Sequence, residues 1–302
     1  MSAASPEKGD TVGVAGPTVA ESLLTATGRI AAAGSASSRL DAELLLAHVL
    51  GVRREALYGA PERRLSAAEA VQYELLVARR ERREPVAYIV GRRAFRTIQV
   101  DVTPSAIVPR PDTETLVEVA LQELWRSTKR QPLALDVGTG SGCIALALVA
   151  EHPGVRLAAT DIDPAAAELA RRNAQRLGMP ERVEVLTGDL FSPLPPGVRF
   201  DLIVSNPPYI AEGEIDDLQE EIRRHEPRQA LVSGPTGLEF YQRLVPGALP
   251  WLEPGGLLAV EIHEGRAAEV QEIFRATERY EEVRVTTDLG GAPRVVSGRE
   301  RA

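Results

Sequence analysis

From residue 132 onward, short apolar runs alternate with segments of helical periodicity, and no other feature constrains the fold so tightly. The runs cover 132–137, 155–160, 182–186, 200–205 and 255–262, and the helical stretches 143–151, 165–177, 238–249 and 267–277 fall between or after them. Such alternation predicts an α/β fold built on a doubly wound parallel sheet. Two further strands, 280–286 and 293–297, meet through Gly290-Gly291 and are predicted to pair antiparallel. In a doubly wound sheet, ligands bind at the carboxyl ends of the strands, around the point where strand order reverses. The residues that follow each run therefore matter most.

The first run ends in Asp136-Val137-Gly138-Thr139-Gly140-Ser141-Gly142. Its glycines allow a tight turn and bring a ligand close to main-chain N–H groups at a helix start. The spacing is not the dinucleotide Gly-x-Gly-x-x-Gly, and no lysine follows as a phosphate loop requires. An acid at the strand end, Asp136, disfavours a pyrophosphate and favours a cationic or hydroxyl-rich ligand, such as a sulfonium nucleoside with an amino-acid tail. The second run ends at Asp161, about 20 residues further on, where a carboxylate can take two ribose hydroxyls. Asp163 reads as the cap of the next helix, with Pro164 at its first position. After the third run, Asp189 is placed to accept from an adenine amino group and Leu190 to pack on the ring.

The fourth run ends in Ser205-Asn206-Pro207-Pro208-Tyr209. Each proline locks φ, lacks an N–H and forces the preceding residue to be extended, so the backbone there is stiff and offers bare carbonyls. The Asn206 oxygen and the Pro207 carbonyl can each accept one hydrogen of a planar NH2 group, while Tyr209 supplies a flat ring. A carboxamide or the exocyclic amine of a base would fit, as would a strand-terminating turn with no ligand.

Residues 1–17 are rich in Ala, Ser, Gly and Pro without periodicity and read as a disordered tail. Residues 18–91 carry helical spacing, with Gly34 and Gly51 as stops, Ser38 or Asp41 as a cap, and a capping box at Ser66 and Glu69. The last helix there is followed by an arginine cluster from Arg79 to Arg96, read as a solvated face paired with Glu81 and Glu84, or as a docking surface. Residues 92–108 alternate as a hairpin linker, and residues 109–302 form the second domain. It opens with Val108-Pro109-Arg110-Pro111-Asp112-Thr113-Glu114, where Asp112 or Thr113 can cap a helix and the turn can line a polar pocket. The acidic and irregular stretch 211–237 reads as a lid.

Composition narrows the partners. A formal net charge of −8 argues against a protein that coats nucleic acid, and the single cysteine, Cys143, leaves no disulfide framework. The four histidines have no metal-ligand spacing, so no metal is expected. No apolar run nears the roughly 20 residues of a membrane span, and a cytoplasmic location follows from that and from cysteine usage.

Asp136 to Gly142, Asp161 and Asn206 to Tyr209 together resemble a class I S-adenosylmethionine-dependent methyltransferase acting on nitrogen. With 108–114, Glu226-Pro227-Arg228 and a helical N-terminal domain, the chain is similar to the release factor glutamine methyltransferase family, also known as HemK. The resemblance covers residues 19–299. It implies a seven-stranded methyltransferase sheet with a small all-helical N-terminal domain for docking, and a monomer that acts on the glutamine of the Gly-Gly-Gln loop of peptide chain release factors. It further implies that Asp136, Val137, Gly138, Thr139 and Gly140 hold the methionine part of S-adenosylmethionine, Asp161 the ribose and Leu190 the adenine region, with Asn206 to Tyr209 on the glutamine. Two stretches depart from the family pattern, Glu261 to Gly265 and the residues after Phe95. An adenine-amino methyltransferase and a non-catalytic cofactor-binding partner of translation are the alternatives.

Overall fold

The computed structural model describes residues 16–301 and divides the chain into two compact units that part between Val90 and Gly91. The expected tail lies, for residues 1–15, outside the described residues. The first unit holds α1 (Val19–Ala32), α2 (Ser38–Leu50), α3 (Ala56–Gly59), α4 (Ala67–Glu81) and α5 (Val86–Val90). Leu23, Ile30, Leu45, Leu46 and Val77 form its core. Capping boxes start α1 at Thr18 and Glu21 and α4 at Ser66 and Glu69, each cap hydroxyl accepting from the third helical N–H. The cap expected for α2 is not formed. Ser37 stands at that position without a capping bond, and Asp41 instead accepts from the Ser35 and Ser37 hydroxyls and from Arg80, at 2.7, 2.9 and 2.8 Å.

The arginine cluster serves internal partners more than a solvated face. Arg79 pairs with Glu84, Arg80 is buried against Asp41, and Arg83 donates to the Ala33 carbonyl. Glu81 is held by Arg29 from α1.

The second unit opens with a hairpin, β1 (Arg92–Phe95) and β2 (Ile98–Asp101). It is shorter than the expected 92–108, because Pro104 offers no N–H for a ladder and the chain turns at Thr103 to Ser105, whose hydroxyls share a bond. A short 3-10 turn, Pro111–Thr113, then runs directly into α6 (Glu114–Arg126). Neither Asp112 nor Thr113 caps that helix by a side-chain bond.

The sheet follows: β3 (Leu133–Val137), α7 (Cys143–Glu151), β4 (Arg156–Asp161), α8 (Pro164–Arg176), β5 (Val183–Thr187) and β6 (Phe200–Ser205). Two short helices, α9 (Glu220–His225) and α10 (Arg228–Leu231), and a bridge between Ile210 and Val232 organise the segment read as an irregular lid. Then come α11 (Glu239–Ala248), β7 (Leu252–Glu261), α12 (Ala267–Ala276), β8 (Tyr280–Thr287) and β9 (Pro293–Glu300). The strand order is β5-β4-β3-β6-β7-β9-β8, with β5, β4, β3, β6 and β7 paired in parallel and β9 antiparallel to both β7 and β8. The expected α/β class and seven-stranded sheet are both present.

The near-continuous apolar runs are what a sheet covered on both faces demands. Leu135, Ile203, Leu258 and Val296 are fully buried in one cluster with Tyr241 and Phe274. The chain winds outward from β3 to β5, then returns to lay β6 on the other side of β3. That reversal brings the end of β3 beside the end of β6. Asp136 is level with Val204 and with Ala159 of β4, so the loops after all three strands open on one edge.

Candidate active site

The loop after β3 is built around a buried acid. Asp136 Oδ2 accepts from the Thr139 hydroxyl at 2.6 Å, while Oδ1 is buried with no partner among the described residues. Burial pushes its carboxyl up to about 7, against the Thr139 bond, and the nearby Asp161 adds to the rise. Gly138 and Gly140 take φ of +73° and +57°, a region an L side chain rarely adopts, and the curled loop spends its N–H groups on protein rather than offering them to a ligand: Gly138 N and Thr139 N donate to the Thr160 carbonyl at 2.8 and 3.0 Å. Gly140 N donates to Asp161 Oδ2 at 2.8 Å, and Asp163 N to Oδ1 at 2.9 Å. The tip of β4 is thereby tied to the glycine turn. Burial raises the Asp161 carboxyl as well. Asp163 caps α8, accepting from Ala165 N, and Pro164 stands first in the helix as expected.

Along this edge lies a cavity of about 360 Å³, lined by Val137, Gly138, Gly140, Asp161, Leu190 and Asn206 among others. This is within the usual size of a small-molecule site. Asp189 also lines it, with Oδ2 engaged by Arg243. Ala106 and Ile107, brought in by the turn after the hairpin, were not singled out in the sequence, since nothing in two small apolar residues marks them.

A second cavity, about 200 Å³, adjoins the turn after β6. Arg110, Pro207, Tyr209, Glu226 and His263 line it, and Asn206 and Pro208 line both cavities. The Asn-Pro-Pro-Tyr turn thus forms part of the wall between them, together with Ile107 and Ala230, which also line both. Ser205 anchors the wall by donating to the Val137 carbonyl at 2.7 Å. Asn206 Nδ2 donates to Thr113 Oγ1 at 3.2 Å, and Asn206 Oδ1 is buried with no partner among the described residues. Burial pushes the Tyr209 hydroxyl up to about 12, aided by Glu261, and its ring lies 5.7 Å from that of His263. Arg110 reaches Glu226 at 2.7 Å, tying the 108–114 turn to the start of α10. Burial raises the Glu226 carboxyl against that pairing.

The twelve residues Asp136 to Gly140, Asp161, Asp189, Leu190 and Asn206 to Tyr209 fall at one sheet edge, with Asp136, Val137, Thr139 and Pro207 buried there. Sequence reasoning missed Glu261 as a site residue. It ends β7, is buried, and burial pushes its carboxyl up to about 7. An acid closing an apolar strand was the available signal.

A switch-point cleft with a glycine loop over a buried acid, and no phosphate-binding lysine, defines the chain as a class I methyltransferase. Residues 112–236 match the methyltransferase small domain family, and residues 21–91 match the PrmC N-terminal domain family. The chain is 41% identical over 283 residues to a release factor glutamine methyltransferase of Koribacter versatilis, spanning 94% of this chain and 99% of that one. It is 43% identical over 272 residues to one of Geobacter sulfurreducens, spanning 90% and 93%. The chain belongs to the release factor glutamine methyltransferase family. Among solved structures, the hMettl16 catalytic domain in complex with MAT2A 3'UTR hairpin 6 superposes with a TM-score of 0.52 at 17% identity, over 78% of this chain and 84% of that one, which bears on the fold alone.

Proposed function

We propose that the chain transfers a methyl group from S-adenosylmethionine to the side-chain amide nitrogen of the glutamine in the Gly-Gly-Gln loop of peptide chain release factors. It acts on protein rather than nucleic acid, as a cytoplasmic monomer. The observation that carries the reading is the shared wall: Asn206 and Pro208 line both the larger and the smaller cavity.

The residues of the larger cavity suit the cofactor. The methionine end lies along Val137, Gly138 and Gly140, which line the cavity, while Asp136 and Thr139 lie beneath the turn, the unpartnered Asp136 Oδ1 supplying negative charge for the ammonium group. Asp161 takes the ribose, Leu190 packs on the adenine, and Asp189 offers the adenine amino group the oxygen that Arg243 leaves open. Bound there, the cofactor supplies a methyl carbon on a sulfonium, an electrophile whose leaving group is a neutral thioether.

The chain's own residues prepare the nucleophile. An amide nitrogen is weak because its lone pair is delocalised. Asn206 Oδ1 and the Pro207 carbonyl each accept one of its hydrogens, which fixes the NH2 group and favours a more pyramidal nitrogen. Tyr209 packs on the amide plane, and Pro208 keeps the turn rigid. Positioning of this kind can supply up to about 7–11 kcal/mol of a barrier. The helical unit, residues 18–91, docks the release factor.

Purified protein incubated with labelled methyl donor and, separately, release factor, DNA and RNA is expected to label the release factor alone. Asn206→Ala is expected to lower the rate by about 10²–10³-fold, as loss of one preorganised polar group does elsewhere. Label in nucleic acid alone would overturn the substrate, and full activity in Asn206→Ala would overturn the mechanism.

A further inference from the structure

We infer that His263 is a further substrate-binding residue, whose Nε2 accepts a main-chain N–H of the loop that carries the glutamine. The inference rests on the function proposed above and deepens it, since that reading gives His263 no part.

Sheet topology brings His263 to the acceptor side of the site. β7 lies beside β6, with Val260 level with Ser205, so the turn after β7 leaves the sheet next to the Asn-Pro-Pro-Tyr turn. His263 stands two residues past the end of β7. It lines the smaller cavity and not the larger. Its ring is tilted 51° against that of Tyr209, with centroids 5.7 Å apart. The turn that carries it is held at both ends. Ile262 N donates to the Arg294 carbonyl at 2.8 Å, and Arg266 N to the His263 carbonyl at 3.1 Å. A contact made from such a turn loses little to ordering when a ligand binds.

The ring's own bond decides what it can offer. His263 Nδ1 lies 2.7 Å from the Glu264 carbonyl oxygen. A carbonyl oxygen only accepts, so Nδ1 carries a hydrogen and donates it there. In the neutral imidazole Nε2 is then a bare acceptor, and it has no partner among the described residues. His263 is exposed, whereas Asn206 Oδ1 is buried. The two therefore serve different depths of one cavity. A glutamine side chain reaches inward to Asn206, and the main chain that bears it stays at the mouth, beside His263. The glycines of a Gly-Gly-Gln loop have no side chains, so main-chain groups are all that can be gripped there. Little else at the cavity competes for a main-chain N–H. Ile107, Ile210, Leu218 and Ile222 are apolar, and Arg110 has only donors, one of them already on the buried Glu226 at 2.7 Å.

The test uses the full chain with His263→Ala, His263→Phe and His263→Gln, all at an exposed position. Phenylalanine keeps a ring against Tyr209 and removes the nitrogen, while glutamine returns an oxygen acceptor close to the place of Nε2. With a release factor peptide as acceptor, His263→Ala and His263→Phe are expected to raise KM by about 10-fold, the scale of one hydrogen bond, and to change kcat less. His263→Gln is expected to recover most of the loss. Peptides in which each main-chain N–H next to the glutamine is replaced in turn by an ester oxygen locate the bond. One ester should raise KM by about 10-fold in wild type and add nothing further in His263→Phe. Equal ester penalties in wild type and His263→Phe, or no recovery with glutamine, would overturn the contact. A fall in kcat at constant KM would also overturn it, pointing to proton transfer instead. Without any methyl donor, a Gly-Gly-Gln peptide titrated into wild type should move the His263 Nε2 nitrogen-15 resonance and leave Nδ1 nearly in place. If the chain labels only nucleic acid yet the peptide moves Nε2, the function proposed above fails and the contact stands. If the peptide leaves Nε2 unmoved, the contact fails whatever the labelling shows.

Discussion

At the scale of single residues, the cofactor side of the site depends on a charge that burial opposes. The Asp136 carboxyl stands at about 7 in the folded chain against an ordinary value near 4, so between those pH values the folded chain holds a proton that the unfolded chain has released. Stability of the ligand-free protein should therefore fall as pH rises from about 4 to about 7 through this group. A bound ammonium would compensate the charge. We expect affinity for S-adenosylmethionine, measured by calorimetry, to rise from pH 6 to pH 8, and Asp136→Asn to flatten that profile while raising the ligand-free melting temperature more at pH 8 than at pH 5. A pH-independent affinity in wild type would contradict this role. The same scale explains what sequence could and could not reveal. Asp136, Asp161 and Asn206 are legible because each stands at or just after the end of an apolar run, and strand ends converge in a doubly wound sheet. Thr113 and Asn206 are 93 residues apart, and Arg110 and Glu226 are 116 apart, so no local pattern encodes either bond.

At the scale of elements, the turn after β6 is supported from behind. Gly237, just before α11, has φ +80°, and a Cβ there would stand 2.6 Å from the Tyr209 carbonyl oxygen. Gly237→Ala must move either that approach or the turn. It is expected to lower kcat while leaving cofactor affinity within a few-fold, and to cost about 1 kcal/mol or more in denaturant unfolding because the native φ disfavours a side chain. Normal kcat would show that the strain is absorbed on the α11 side. In the helical unit, Arg80 of α4 joins Asp41 of α2 at 2.8 Å, with both side chains under a tenth exposed. Arg80→Ala leaves a buried carboxylate and is expected to cost about 3–5 kcal/mol, checked by thermal unfolding. Element types were legible from periodicity. Ends were less so where a proline intervened, as at Pro104, or where a cap residue found a distant partner, as Asp41 did.

At the scale of the whole molecule, each unit has its own core, one around Leu45 and Val77 and one around Ile203 and Leu258. Residues 91–302 alone should keep cofactor binding, while KM for intact release factor rises and turnover of a short Gly-Gly-Gln peptide stays near that of the full chain. Equal losses on protein and peptide would argue against docking by the helical unit. The partition formed by Asn206 and Pro208 also bears on the order of events. Two chambers with a party wall allow donor and acceptor to arrive and leave by separate doors. Spent donor can then be exchanged while a release factor stays seated, and initial-rate plots should intersect rather than run parallel.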